Sequence, residues 1–202
     1  MAEMKFKKYK YLVLSDLYRI TGNTGFLLLI RQMVGGSAYK YLFWMRTCNY
    51  AFSSPFLKFL LYPIARLALR RLTFKLGISI PWQTNISSGF FIGHFFGIVV
   101  NANCCIGKNC NISHGVTLGQ ANRGKRRGSP SLGDNVYIGP GAKLIGAIRV
   151  GDNVAIGANC VVVKDVPDGA VVVGIPARVV SQEGSAGYVN RTDYDKALRS
   201  GL

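Results

Sequence analysis

The sequence predicts a mainly β fold: a three-sided parallel β coil built from hexapeptides, preceded by an α-helical N-terminal region. Three observations predict it. From Ile80 onward an aliphatic residue returns every sixth position. Glycine often follows that residue, and the fifth position of most hexads is small or β-branched. Before Ile80 the apolar residues recur at helical spacing instead.

Residues 1–77 are read as the helical region. The segment KYKYLVLSDLYRIT has apolar positions at helical spacing and ends before the breaker GNTG. FLLLIRQMVGG stops at paired glycines, and SAYKYLFWMRTCNYAF follows with Ser37 as its expected N-cap. After SSP, FLKFLLYPIARLALRRLTFKLG runs to Gly77, and Pro63 is expected to kink it. Lysine and arginine punctuate the apolar runs, as in amphipathic helices with one side against a hydrophobic surface. That surface is either the rest of the protein or an anionic membrane face.

Charge sharpens the same division. Residues 1–76 hold 13 Lys/Arg against 2 acids, a net of +11, out of +16 for all 202 residues. A basic, aromatic segment suits nucleic acid, anionic lipid or an acidic substrate. No helix-turn-helix, zinc-finger or RNA-binding signature accompanies it, so no nucleic-acid partner is expected. Within residues 1–76 the longest uncharged runs, 20–30 and 47–57, are eleven residues each, well short of the roughly 20 apolar residues of a membrane span. Residues 1–30 lack the order of a secretory signal. The five cysteines (48, 104, 105, 110, 160) are odd in number and lack Cys-x-x-Cys spacing, which reads as free thiols in a reducing cytosol and argues against a metal site.

The hexads begin at Ile80, Ile86, Ile92, Val100, Ile106, Ile112 and Leu118, then at Leu132, Ile138, Leu144, Val150, Ile156 and Val162. Each supplies a short strand and a tight turn, so three make a triangular coil of 18 residues. The aliphatic starts stack inside the prism. The fifth residues, among them Thr84, Cys104, Cys110, Val116, Val136, Ala142, Val154 and Cys160, fill its corners, which gives three of the cysteines a packing role.

Two interruptions break the register: two extra residues between Ile92 and Val100, and eight between Leu118 and Leu132. Inserts cannot enter a stacked core and must bulge outward, where binding residues of solenoids sit. The first coincides with His94, one of only two histidines, and the slip is expected to push its imidazole out of the wall. The second histidine, His114, occupies a third hexad position, which normally points outward. The second insert, QANRGKRRGSPS (residues 120–131), carries Arg123, Lys125, Arg126 and Arg127. A mobile basic arm of this kind suits a phosphorylated ligand.

The hexads together with GIVV, GVTLG, GPGAKLIGAIRVGDNVAIGANCVVVKDVP and GIPARVV resemble the serine acetyltransferase branch of the hexapeptide-repeat acyltransferases over about residues 78–180. The resemblance implies a left-handed parallel β-helix and a homotrimer, with pairing of trimers left open. It implies acetyl-CoA lying between adjacent prisms, no metal and no covalent acyl-enzyme. His94 matches the family's catalytic histidine and would act as general base in direct transfer. Gly119, Gly139, Gly157 and Ala158 match turns along the pantetheine, and Lys164 and Arg178 match positions near the CoA end.

The chain departs from the serine enzymes at several points. Ser79 stands where they carry an orienting aspartate, and Ser129 stands where a second histidine precedes the proline. With His114, these two are candidates for orienting His94 or holding the acceptor. The helical region is short, and Leu202 replaces a terminal isoleucine. These departures point toward the capsular and exopolysaccharide O-acetyltransferases of the same branch, with a sugar hydroxyl as acceptor at the inner face of the membrane. Serine O-acetylation in cysteine biosynthesis is the alternative, and a non-catalytic β-helix scaffold is the second. A cytoplasmic protein with peripheral contact to anionic lipid through residues 1–76 is expected. Residues 181–202 show no hexads and are read as a tail, or as a strand lying on a neighbour.

Overall fold

Strands of two or three residues from successive coils pair in parallel, and each coil contributes one to each of three walls. The computed structural model describes residues 4–35 and 37–199. The side chain of Ser37 lies outside the described part, so the expected cap falls there, as does Leu202. The first wall holds β1 (Ile78–Ser79), β4 (Ile98–Val100), β7 (Thr117–Gly119), β10 (Lys143–Ile145) and β13 (Val161–Val162). The second holds β2 (Asn85–Ile86), β5 (Cys105–Ile106), β8 (Ser131–Leu132) and β11 (Arg149–Val150). The third holds β3 (Phe91–Ile92), β6 (Asn111–Ile112), β9 (Tyr137–Ile138), β12 (Ala155–Ile156) and β14 (Val171–Val173), closed by the antiparallel β15 (Arg178–Ser181). This is the left-handed parallel β-helix, and the register is the one the hexads predict. Ile92 pairs with Ile112, Ile112 with Ile138, and Ile138 with Ile156. The aliphatic starts and the corner-filling fifth residues are buried, Cys104, Cys110 and Cys160 included. Burial holds the Cys104 thiol up at about 11 and Cys110 at about 12, which keeps both protonated and unreactive at neutral pH.

The helices close the open end of this coil. A first coil has no coil above it, so its backbone groups need other partners. They come from α1 (Phe6–Thr21) and α3 (Ser37–Ser53). On α3, Tyr41 Oη donates to the Ile80 carbonyl at 2.9 Å, Asn49 to Trp82 at 3.1 Å, and Arg46 to Ile86 at 2.5 Å and Ser87 at 2.7 Å. On α1, Arg19 Nε donates to the Gly89 carbonyl at 3.1 Å, and Asp16 accepts the Phe90 amide at 2.8 Å. Arg46 and Asp16 pair at 3.0 Å, both buried, which ties the two helices to each other and to the coil.

The remaining helices are α2 (Phe26–Gly35), α4 (Pro55–Leu60) and α5 (Tyr62–Leu76). The expected kink at Pro63 is instead a break at Leu61, and Pro63 sits in the first turn of α5. A missing N–H costs nothing there, so starting a new helix relieves what bending an old one would strain. Most of the apolar residues that face outward from the helices, such as Phe26, Leu27, Phe59 and Phe74, belong to α2, α4 and α5, with Phe6 of α1 exposed as well. No helix among the described residues is long and apolar enough to cross a membrane.

Residues 181–199 pack back on their own chain. Ser185 bonds the carbonyls of Asn153 at 3.0 Å and Asn135 at 2.5 Å, and Tyr188 stacks on Tyr137 with centroids 4.4 Å apart. The segment ends in α6 (Tyr194–Arg199), whose buried Tyr194 meets Ser88 at 2.9 Å.

Candidate active site

The corner between the third and first walls carries both histidines. Two residues beyond each stacked Ile of the third wall come His94, His114, Pro140, Ala158 and Gly174, one per coil down a single edge. His94 and His114 are exposed, and their rings meet edge to face with centroids 6.0 Å apart at 77°. Among the described residues no hydrogen bond reaches either imidazole.

The register slip does something other than expected. His114 faces outward at a corner that has no slip, so third-position geometry alone exposes an imidazole here. The slip instead inserts Phe95 and Phe96 after His94, with Phe96 at φ 104° and 68% exposed. Gly97 follows at φ 69°, a conformation glycine adopts without a Cβ clash. The corner is thereby widened next to His94 and nowhere else along the edge.

The first wall runs from this edge to the opposite corner. Ser79, Val99, Thr117, Lys143 and Val161 are in register down the wall. The far corner carries Gln120, where the 120–131 insert leaves the coil, and Lys164 two coils below. The insert is a hairpin-like arm closed by a bridge between Ala121 and Gly128, with residues 122–127 exposed. Arg126 bonds Asp165 at 2.7 Å, and that guanidinium, with the Arg149 amide, holds the Asp165 carboxyl below the usual carboxylate range. Arg123, Lys125 and Arg127 make no salt bridge among the described residues. Lys164 and Arg178 line a cavity of about 350 Å3 with Asp165 and Pro176 at the last coil.

Most of the sequence-predicted residues therefore collect on one wall and its two edges. His94, His114 and Ala158 form one edge, and Ser79 and Gly119 lie on the wall. The basic arm and Lys164 form the other edge, with Arg178 beside it. Gly139 and Gly157 precede the histidine corner, and their bareness has a packing cause. A Cβ at Gly139 would stand 2.8 Å from the Ile156 carbonyl oxygen, and one at Gly157 would stand 2.9 Å from Val173. Two orienting candidates are occupied otherwise. Ser129 donates to Asn101 at 3.1 Å, and Ser79 pairs with Val99 on the wall without a hydrogen bond to His94.

Lys143 was missed by the sequence reading. Its ammonium donates to the Gly115 carbonyl, directly after His114. Its sixth hexad position, known to face outward, was the available signal. A cavity of about 570 Å3 follows the seam between the helical cap and the second wall, lined by Lys8, Arg46, Trp82 and Lys108 and remote from the histidine corner. Among the described residues no cluster of three His, Cys, Asp or Glu side chains is arranged to hold a metal.

A β-helix with an exposed imidazole at one edge and a basic arm at the other defines a hexapeptide-repeat transferase. The family model for bacterial transferase hexapeptide (six repeats) matches residues 129–164, and the chain belongs to this family. Within it, the chain is 43% identical over 123 residues to a serine acetyltransferase of Staphylococcus epidermidis, across 61% of this chain and 58% of that protein. It thus spans less than two thirds of that relative's length. Among solved structures it is similar to the Neisseria gonorrhoeae serine acetyltransferase in complex with serine, with TM-score 0.64 and 30% identity over 87% of this chain and 70% of that one. A serine acetyltransferase in complex with CoA superposes with TM-score 0.69 at 26% identity, over 87% and 71%.

These relatives overturn the polysaccharide reading. That reading rested on a few departures, chiefly Ser79, Ser129 and the short helical region. A handful of altered positions does not outweigh 43% identity with a serine acetyltransferase over 123 residues. The relatives are serine acetyltransferases, and a glycan acceptor has no support among them.

Proposed function

We propose that the protein transfers acetyl from acetyl-CoA to the hydroxyl of serine. The observation that carries this is the bare, exposed His94 imidazole on the edge of a wall whose other edge bears the basic arm. The similarity to serine acetyltransferases supplies the acceptor. In this reading a neutral His94 nitrogen accepts the proton of the serine hydroxyl as its oxygen attacks the thioester carbonyl. The tetrahedral intermediate expels the CoA thiolate, which takes the proton back from the imidazolium. One bond forms, one breaks, and the proton ends on sulfur.

Four coil steps of about 4.8 Å separate His94 from Gly174, so the edge offers roughly 19 Å of length. This is space for an extended pantetheine with its phosphates toward Lys164, Arg178 and the arm, whose arginines match phosphate geometry. The same reading makes the protein a homotrimer, with the site between neighbouring prisms. The exposed Val99 and Val163 of the first wall and Val179 of β15 support it. It also places the protein in the cytoplasm, where acetyl-CoA is supplied. The peripheral lipid contact is read onto α4 and α5, where Phe59 and Phe74 stand exposed beside Lys58, Arg70 and Arg71. Sedimentation with phosphatidylserine vesicles tests that contact, and equal binding to neutral vesicles would sink it.

The deciding assay supplies purified protein with acetyl-CoA and L-serine and follows free thiol. A serine-dependent rate that disappears in His94→Ala is expected. Thiol release indifferent to serine would overturn the acceptor, and a full rate in His94→Ala would overturn the mechanism.

A further inference from the structure

We propose that His114 is the positioning residue for His94, taking the place of the aspartate this chain lacks. The proposal deepens the acetyl-transfer reading and rests on His94 being the base. An imidazole that acts as general base must be held in one orientation, and that is normally done by a hydrogen bond to its second nitrogen. His94 has no such bond among the described residues. Ser129 is engaged with Asn101, Ser79 makes no hydrogen bond to His94, and the side chain that His94 does meet is His114, edge to face at 6.0 Å. Aromatic rings prefer this arrangement, in which the positive edge of one meets the negative face of the other.

The backbone makes the contact durable. Ile92 and Ile112 are paired partners, and the Gly115 amide donates to the Phe96 carbonyl at 2.8 Å, so the two corners are fixed on both sides of the histidines. The exposed Phe95 and Phe96 follow His94, and the ring His94 meets is that of the coil below.

The test uses the full-length protein and three variants, with His94→Ala as reference. Removing the contact in His114→Ala is expected to lower kcat about 10- to 100-fold, the scale of a misplaced reacting group, with the acetyl-CoA KM within about twofold. His114→Phe keeps a ring edge without a titrating nitrogen, and it is expected to recover most of kcat. The His94 ring proton resonances should shift in His114→Ala, where the neighbouring ring is lost, and return toward their parental positions in His114→Phe. His114→Gln, polar but not aromatic, should behave like His114→Ala. Because His114 is exposed, none of these changes empties a packed core. A parental kcat in His114→Ala, or His114→Phe no better than His114→Ala, overturns the positioning role. The ring resonances read the contact without turnover, so they answer even if serine is the wrong acceptor, and parental His94 resonances in His114→Ala overturn the contact itself. A parental rate in His94→Ala would instead sink the reaction on which the proposal rests.

Discussion

Two corners of the same prism, built from the same hexad frame, are put to opposite uses. At the corner between the second and third walls, each coil turns on a Gly-x-Asn triplet: Gly107 to Asn109, Gly133 to Asn135 and Gly151 to Asn153. The asparagines take the left-handed region at φ 57°, 56° and 56°, and their side chains bond in a ladder at 2.9 Å per rung. Beside them, Asp134 Oδ1 accepts the Lys108 amide at 2.6 Å and Asp152 Oδ1 accepts the Asp134 amide at 2.7 Å. The glycines are forced by close approach, since a Cβ at Gly133 would stand 2.2 Å from Asp152 Oδ1. At the histidine corner no ladder forms. The polar side chains are left unsatisfied toward solvent, and two phenylalanines interrupt the period. One corner uses its hydrogen-bonding groups to hold coils together, and the other keeps them free for a ligand.

That contrast can be broken or sharpened by experiment. The largest effect is expected for His94→Ala, with acetyl transfer falling about 10²- to 10⁴-fold and thermal stability unchanged, read by thiol release and calorimetry. Deleting Phe95 and Phe96 restores the six-residue period and turns the functional corner into a regular one. A loss of about 10²-fold in kcat is expected, from misplacement of His94 alone, and the protein should remain folded. If the deletion keeps full activity, the slip has no role in the chemistry. Asn135→Ala should show the reverse signature: two ladder bonds lost, about 2 kcal/mol of stability gone and kcat retained. Its denaturation midpoint is expected to drop by about 4–8 °C.

The smallest effect belongs to the arm. Asp165→Asn loosens the hold on Arg126, and because that pair is exposed, amide exchange across 121–128 should accelerate by no more than about fivefold. Acid should do the same. The Asp165 carboxyl is held below its ordinary range, so the hold is complete above that range and is lost as pH falls through the lowered value. Exchange of the arm that does not respond to either change would show that Arg126 is not what keeps it closed.

Much of this was legible in the chain. The period of six named the stacked residues, and the small fifth positions named the corner fillers. The two departures from period located His94 and the arm. Legibility ended where side chains meet across coils. The Asn and Asp ladders went unread because GDN looks like any polar turn until coils are superposed. Ser79, a candidate because it stands where an aspartate would, lies on the first wall without a hydrogen bond to His94. The helices read as a packed or lipid-facing set, and nothing in their spacing said that Tyr41, Arg46 and Asn49 would cap the backbone of the first coil.

By itself the sequence determined the prism, its period and the place where it slips, because those depend on residue size and spacing along the chain. Only the tertiary structure decided that His114 lies against His94. Twenty residues of chain become one coil, and a separation that no local pattern encodes closes to 6.0 Å between rings.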